Sequence, residues 1–318
     1  MEVIMNLLYI LPAIFLGWVL GANDSVSVFG PLVATGVVRY RIATLLSSLF
    51  VVLGATVGGG PGITTLSKLT SLNLEQTAIA ILAAAVSVLI MILLRAPSSI
   101  SQSIVGSLIG LSVATGYGNV NWGSLGEIVT LWIATPLTSG ICAFLLYKLI
   151  SHYFRKIKSV QAQDAVIKAA SILGICYGSF SLGANNVANV TGPLTGRLMS
   201  VDTALLVGGI SIAFGILTFS RRAVLTVGKS IVALDHFSSL ISVVASAITV
   251  WVYSIVGVPV SATQSIVGAV IGAGLSRGVG LAEKKTLLRI VSGWVFTPVS
   301  AGILSAVLFS ILKILRGG

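Results

Sequence analysis

The sequence predicts an all-α integral membrane protein: two inverted-topology repeats with broken or re-entrant helices, about 10–12 transmembrane segments in all. Three observations lead there. Hydrophobic residues fill 56% and charged residues 8% of 318 positions, and the mean hydropathy is +1.06, against roughly 45–50% apolar and 25% charged in soluble domains. The apolar stretches are continuous and reach the ~20 residues a helix needs to cross the hydrocarbon core; barrel strands would alternate. The chain is also written twice, since Gly21-Ala22-Asn23-Asp24-Ser25-Val26-Ser27-Val28-Phe29-Gly30-Pro31-Leu32 returns 162 positions later as Gly183-Ala184-Asn185-Asn186-Val187-Ala188-Asn189-Val190-Thr191-Gly192-Pro193-Leu194, identical at 7 of 12 positions.

Two further anchors keep that register. Pro97-Ser98-Ser99-Ile100-Ser101-Gln102-Ser103-Ile104-Val105-Gly106 returns as Pro259-Val260-Ser261-Ala262-Thr263-Gln264-Ser265-Ile266-Val267-Gly268, and Trp132, Thr135, Pro136 and Gly140 return as Trp294, Thr297, Pro298 and Gly302. Paired polar motifs interrupting apolar segments are the sequence pattern of a secondary transporter whose site lies between its repeats.

The first repeat reads as spans over about 4–37 with a break near 21–24, 42–60, 75–94, 97–118 with a break at its start, and 126–150. Its first stretch, Ile4 to Leu20, has no basic segment before it and is read as a retained span rather than a cleaved leader. The second repeat reads as about 167–199, 203–220, 238–256, 259–276 and 287–312. Between them His152 to Lys168 is the only extended polar stretch, so the division is a first repeat at 1–150, a cytoplasmic linker at 151–165 and a second, inverted repeat at 166–318. Five crossings per copy, with the amino terminus outside, place 15 of the 19 basic residues on the cytoplasmic side and only Lys68, Arg197, Lys313 and Arg316 outside. The positive-inside rule selects that orientation, and it accounts for the net charge of +11 without a nucleic-acid partner. An odd number of crossings also turns the second copy upside down.

Most acidic residues read as helix starts: Glu75, Glu127, Asp202 and Asp235 each precede an apolar run, where a carboxylate meets the positive helix end. Asp24 does not, because apolar residues flank it on both sides. An ionisable group at that depth costs several kcal/mol unless paired, and is a functional candidate by default. Glycine and proline around it predict a local unwinding of the helix. Asp24 with the neutral oxygens of Asn23, Asn185, Asn186 and Asn189 is then a cage suited to a small hard cation.

The second motif pair has a different chemistry. Pro97 and Pro259 suit the first turn of a helix, and Ser99, Ser101, Gln102 and Ser103 against Ser261, Thr263, Gln264 and Ser265 offer hydroxyl and amide groups beside free backbone N–H donors. Two such helix starts facing each other would cradle a tetrahedral oxyanion. The competing role for each hydroxyl is back-bonding within its own helix or close helix packing. Neither motif contains a lysine or arginine, so a cation bound at Asp24 would relieve its repulsion of an anion, a physical basis for symport. A membrane-embedded enzyme would need a nucleophile with its base, or a metal cluster. Cys142, Cys176, His152 and His236 lie scattered along the chain and supply neither.

With the stretch Arg222-Ala-Val-Leu-Thr-Val-Gly-Lys229, these duplicated motifs resemble the inorganic phosphate transporter (PiT) family over nearly the whole chain. The resemblance implies a symporter, not an enzyme: a multi-pass protein of the cell membrane that moves inorganic phosphate by alternating access, coupled to a sodium ion or a proton, and forms a homodimer in the lipid. It implies cation ligands at Asn23, Asp24, Asn185 and Asn186, and anion ligands at Ser99, Ser101, Gln102, Ser103, Ser261, Thr263, Gln264 and Ser265. A sulfate permease of the same family is the alternative. The chain departs from the family pattern at Ser25-Val26-Ser27, where Val-Ala-Asn is usual, at Asn186, usually aspartate, and at Gln102 and Gln264, often histidine.

Overall fold

The computed structural model describes residues 2–94, 96–116, 120–227, 234–278 and 284–316, with backbone only at 2–5, 222, 223, 225–227 and 284–286. Arg95 and Lys229, assigned to the cytoplasmic side by charge, fall outside them, as does Gly228 of the stretch 222–229. Among the described residues eleven helices follow one another: α1 (Glu2–Ala34), α2 (Tyr40–Gly58), α3 (Gly60–Ser67), α4 (Leu74–Leu93), α5 (Ile100–Thr115), α6 (Trp122–Phe154), α7 (Val160–Thr191), α8 (Val201–Val227), α9 (His236–Val256), α10 (Ala262–Ser276) and α11 (Lys284–Leu315). A 3₁₀ turn at Gly192–Leu194 closes α7. Eight helices among the described residues are long and apolar enough to cross a membrane, while α5 and α10 are apolar but shorter, at 16 and 15 residues. The protein is a multi-pass integral membrane protein.

Capping explains several boundaries. Asn73 and Gln76 form a reciprocal capping box at the start of α4, Asn121 accepts from Ser124 N at α6, and Asp235 accepts from Ser238 N at α9. Glu75 and Asp202 lie in the first turns of α4 and α8 as expected. Glu127 does not: α6 begins at Trp122, beyond the reach of a first-turn carboxylate. Ser159 caps α7, so only residues 155–159 are non-helical between α6 and α7, and Gln161, Gln163 and Asp164 already belong to the helix.

The most extensive interfaces join α1 to α8, α2 to α7, α5 to α11 and α6 to α10. Each pairs a helix of residues 1–150 with one of 166–318, so the two repeats interlock rather than pack as separate bodies. The expected break at 21–24 is absent, for α1 and α7 run unbroken through both Gly-Ala-Asn motifs. The glycines serve packing instead. A Cβ on Gly21 would lie 2.0 Å from the Ile212 carbonyl oxygen of α8, and one on Gly183 2.0 Å from the Val51 carbonyl oxygen of α2. Backbones at that separation admit only a residue without a side chain. The third anchor has the same origin, because Gly106 lies against Pro298 and Gly268 against Pro136.

Polar contacts collect at two ends of the bundle. At one, Asn121 N donates to Leu69 O at 3.0 Å, Arg316 pairs with Glu75 at 2.6 Å, and Arg197 donates to Leu72 O. At the other, Arg277 pairs with Asp235 at 3.3 Å, His236 contacts Thr35 O at 3.0 Å, and Phe237 stacks on Phe154. The hairpin α4–α5 therefore has its feet at the first end, and α9–α10 at the second. In each hairpin the chain returns through an extended piece, 96–99 or 258–261, before the short helix begins. Pro97 and Pro259 sit in these pieces, two residues ahead of the helix N-caps Ser99 and Ser261, and not in a first helical turn.

Candidate functional site

Because α5 and α10 begin inside the bundle, their first residues can touch. Ser99 Oγ donates to Ser261 Oγ at 2.8 Å, across residues related by the repeat itself. Ser261 Oγ lies 2.9 Å from Thr263 Oγ1, which donates to Ser98 O at 3.2 Å, and Ser101 Oγ donates to Val260 O at 3.0 Å. The Ser261 hydroxyl also caps α10 by accepting from Gln264 N, whereas no side chain caps α5. The free N–H end of α5 is thus turned into the interior next to the serine contact.

The Gly-Ala-Asn motifs hold the extended pieces in place. Asn23 Oδ1 accepts from Ser98 Oγ at 3.2 Å, and Asn23 Nδ2 donates to Asp24 Oδ1 at 2.8 Å. Asn185 grips the repeat-related residue of the other hairpin with both ends of its amide: Nδ2 donates to Val260 O at 2.8 Å, and Oδ1 accepts from Val260 N at 3.1 Å. Asn189 Nδ2 donates to Ser101 Oγ and to Asn186 Oδ1, each at 2.9 Å. All four motifs are therefore joined by hydrogen bonds in the interior of the bundle. Asp24 is 3% exposed and is the one buried carboxylate among the described residues.

The structure sorts the candidates. Asn23, Asp24, Ser99, Ser101, Ser261 and Thr263 converge with Asn185 and Asn186, but Asn185 spends its oxygen on the Val260 backbone and is a clamp for the turn. Ser103 and Ser265 lie elsewhere: Ser103 donates to Ala84 O of α4, and Ser265 bonds Ser139, Ser246 and the Ser246 carbonyl, contacts that fasten helices together. Gln102 and Gln264, in the first turns of α5 and α10, are buried with both Oε1 atoms unpartnered. A buried acceptor left without a donor costs about 1–3 kcal/mol, so two at repeat-related positions mark places where a water or a ligand can donate. Sequence reasoning missed Ser98, which contributes its carbonyl to Thr263 and its hydroxyl to Asn23, and Val260, whose contribution is backbone alone and shows in no side-chain pattern.

Asn185→Ala removes both amide bonds to Val260 and frees the α9–α10 turn. Its expected effect is a fall in substrate affinity of about five- to thirtyfold, from roughly 1–2 kcal/mol of lost positioning, with the protein still folded. Uptake kinetics alongside thermal unfolding of the purified variant check it.

Interlocked apolar helices enclose a buried polar centre, the arrangement of a membrane transporter. Residues 20–305 match the phosphate transporter family, and the chain belongs to it. The sulfate permease CysP of Bacillus subtilis is 29% identical over 92% of this chain and 84% of that one. A solved structure described as the sodium-dependent phosphate transporter superposes with a TM-score of 0.88 at 25% identity, covering 97% of this chain and 99% of the other.

Proposed function

We propose that this transporter is a cation-coupled symporter of inorganic phosphate, with sodium or a proton as the coupling ion, working by alternating access between two inverted halves. The inverted relation is supported by the hairpins, whose feet stand at opposite ends of the bundle while their inner turns touch through Ser99 and Ser261. It is supported too by α6 and α11, since α6 starts near the Leu69 end and α11 finishes there at Arg316. The cation is held at Asp24 and the anion between the starts of α5 and α10. Coupling follows from charge: with Asp24 ionised and alone, an anion nearby is repelled, and a bound cation removes that repulsion.

The observation that carries the choice of phosphate is the pair of unpartnered glutamine oxygens. Sulfate at neutral pH presents acceptors only and needs donors. Hydrogen phosphate carries a proton as well, and Gln102 Oε1 or Gln264 Oε1 can accept it. The rest of the shell is hydroxyls and backbone N–H groups that serve either anion, and CysP is named for sulfate, so sulfate should compete with modest affinity.

The test is uptake of radiolabelled phosphate into proteoliposomes under an imposed sodium or proton gradient, with sulfate as competitor. Gln102→Ala and Gln264→Ala should each weaken phosphate affinity by roughly 1–3 kcal/mol and narrow the preference over sulfate. Sulfate uptake that exceeds phosphate uptake, or a glutamine that proves dispensable, would reverse the assignment.

A further inference from the structure

The repeat register sets Asp24 against Asn186 and Ser27 against Asn189. These positions are matched in space as well, since Asn23 bonds residue 98 and Asn185 bonds its repeat counterpart, residue 260, although Asn23 accepts from the Ser98 hydroxyl while Asn185 donates to the Val260 carbonyl. One half-site therefore has a carboxylate, and its counterpart has two amides.

The hydrogen bonds of the second half-site leave little freedom. Ser101 gives its only hydrogen to Val260 O, so its oxygen must accept, and the group facing it must be Asn189 Nδ2. The other hydrogen of that NH₂ goes to Asn186 Oδ1. What remains unpartnered, on two residues that are 0% exposed, is Asn186 Nδ2 and Asn189 Oδ1. A hard cation needs a shell of oxygens. Here the oxygen of Asn186 is occupied, and its free group is a donor, whose hydrogens carry the positive end of the amide dipole. Asn189 Oδ1 is the one unpartnered oxygen of the pair and it is neutral and accompanied by a free donor, a set that suits a neutral molecule able both to accept and to donate better than it suits a cation. The first half-site has instead a carboxylate at Asp24, one oxygen of which accepts from Asn23 Nδ2, and an unpartnered hydroxyl at Ser27.

Resting on the symport reading above, we propose that this chain moves a single cation with each anion, held at Asp24, and that the repeat-related position is closed to cations by the Asn186–Asn189 hydrogen bond. Asn186 is then the residue that sets the coupling ratio.

Two measurements test it. Equilibrium dialysis of the purified protein against radioactive sodium should find no more than one saturable site in the wild type and one additional site in Asn186→Asp. Reversal potentials in proteoliposomes, taken under sodium and pH gradients, should give one cation, sodium and protons together, per anion in the wild type and two in Asn186→Asp. Two sodium sites in the wild type, a wild-type ratio of two, or a folded Asn186→Asp protein that gains no site overturns the proposal. The wild-type counts decide it even if the variant does not fold. Failure of the symport reading looks different: no gradient drives anion uptake, while the dialysis counts still report on the closed half-site.

Discussion

Asp24→Asn should abolish cation-dependent uptake while leaving the protein folded and inserted. The replacement keeps the shape of the side chain and an oxygen that can accept from Asn23 Nδ2, so the contact at 2.8 Å survives. The charge does not. At ~4 Å and an effective dielectric of about 20, attraction between a carboxylate and a monovalent cation is about 4 kcal/mol, on the order of a thousandfold in affinity. At working cation concentrations the site then stays unfilled, and an imposed sodium or proton gradient no longer accelerates uptake. Gradient-driven flux, compared with thermal stability of the same preparations, separates loss of coupling from loss of fold. Uptake that keeps its gradient dependence in this variant would remove Asp24 from the mechanism.

An equally large effect, on structure this time, is expected at Gly21 and Gly183. The smallest added group would sit 2.0 Å from a carbonyl oxygen of the facing helix, so Gly21→Val or Gly183→Val must force α1 from α8, or α7 from α2. Overpacking in a core costs typically 1–3 kcal/mol when flexible side chains can move aside. Here the obstacle is backbone, which cannot. Size-exclusion profiles and melting curves in detergent should show loss of a monodisperse species, whereas a change at Gly60, where an added Cβ meets nothing within 4 Å, should leave both unaltered. A well-folded Gly183→Val protein would mean that the helices are not held at this separation.

These glycines also mark the limit of what the sequence could convey. A glycine followed by polar residues in an apolar run has two physical uses, unwinding a helix or letting two backbones meet, and both leave the same local pattern. Only the facing carbonyls of Ile212 and Val51 decide between them. The long helices were legible because each is an apolar run of sufficient length, and the repeat was legible because three anchors share one offset. Capping by Asp235 could be read from position alone. The fates of Ser103 and Ser265 could not, since a hydroxyl one residue beyond Gln102 or Gln264 looks like part of the same motif while its helix turns it toward Ala84 or Ser139. Asn185 shows the same limit, because an amide that could ligate an ion and one that clamps a backbone are the same residue.

The interlocking of the two repeats bears on how such a chain could arise. Since the broadest contacts of each copy are with the other, a single copy would expose its α1, α2 and α5 faces and would need a second molecule to cover them. Covalent fusion turns that encounter into an intramolecular one, which no longer depends on the abundance of partners. It also releases a constraint. A pair of identical copies must carry two acids at position 24 and its counterpart, or none. A fused chain can keep Asp24 and place Asn186 opposite it, an asymmetry of charge closed to a pair of identical copies.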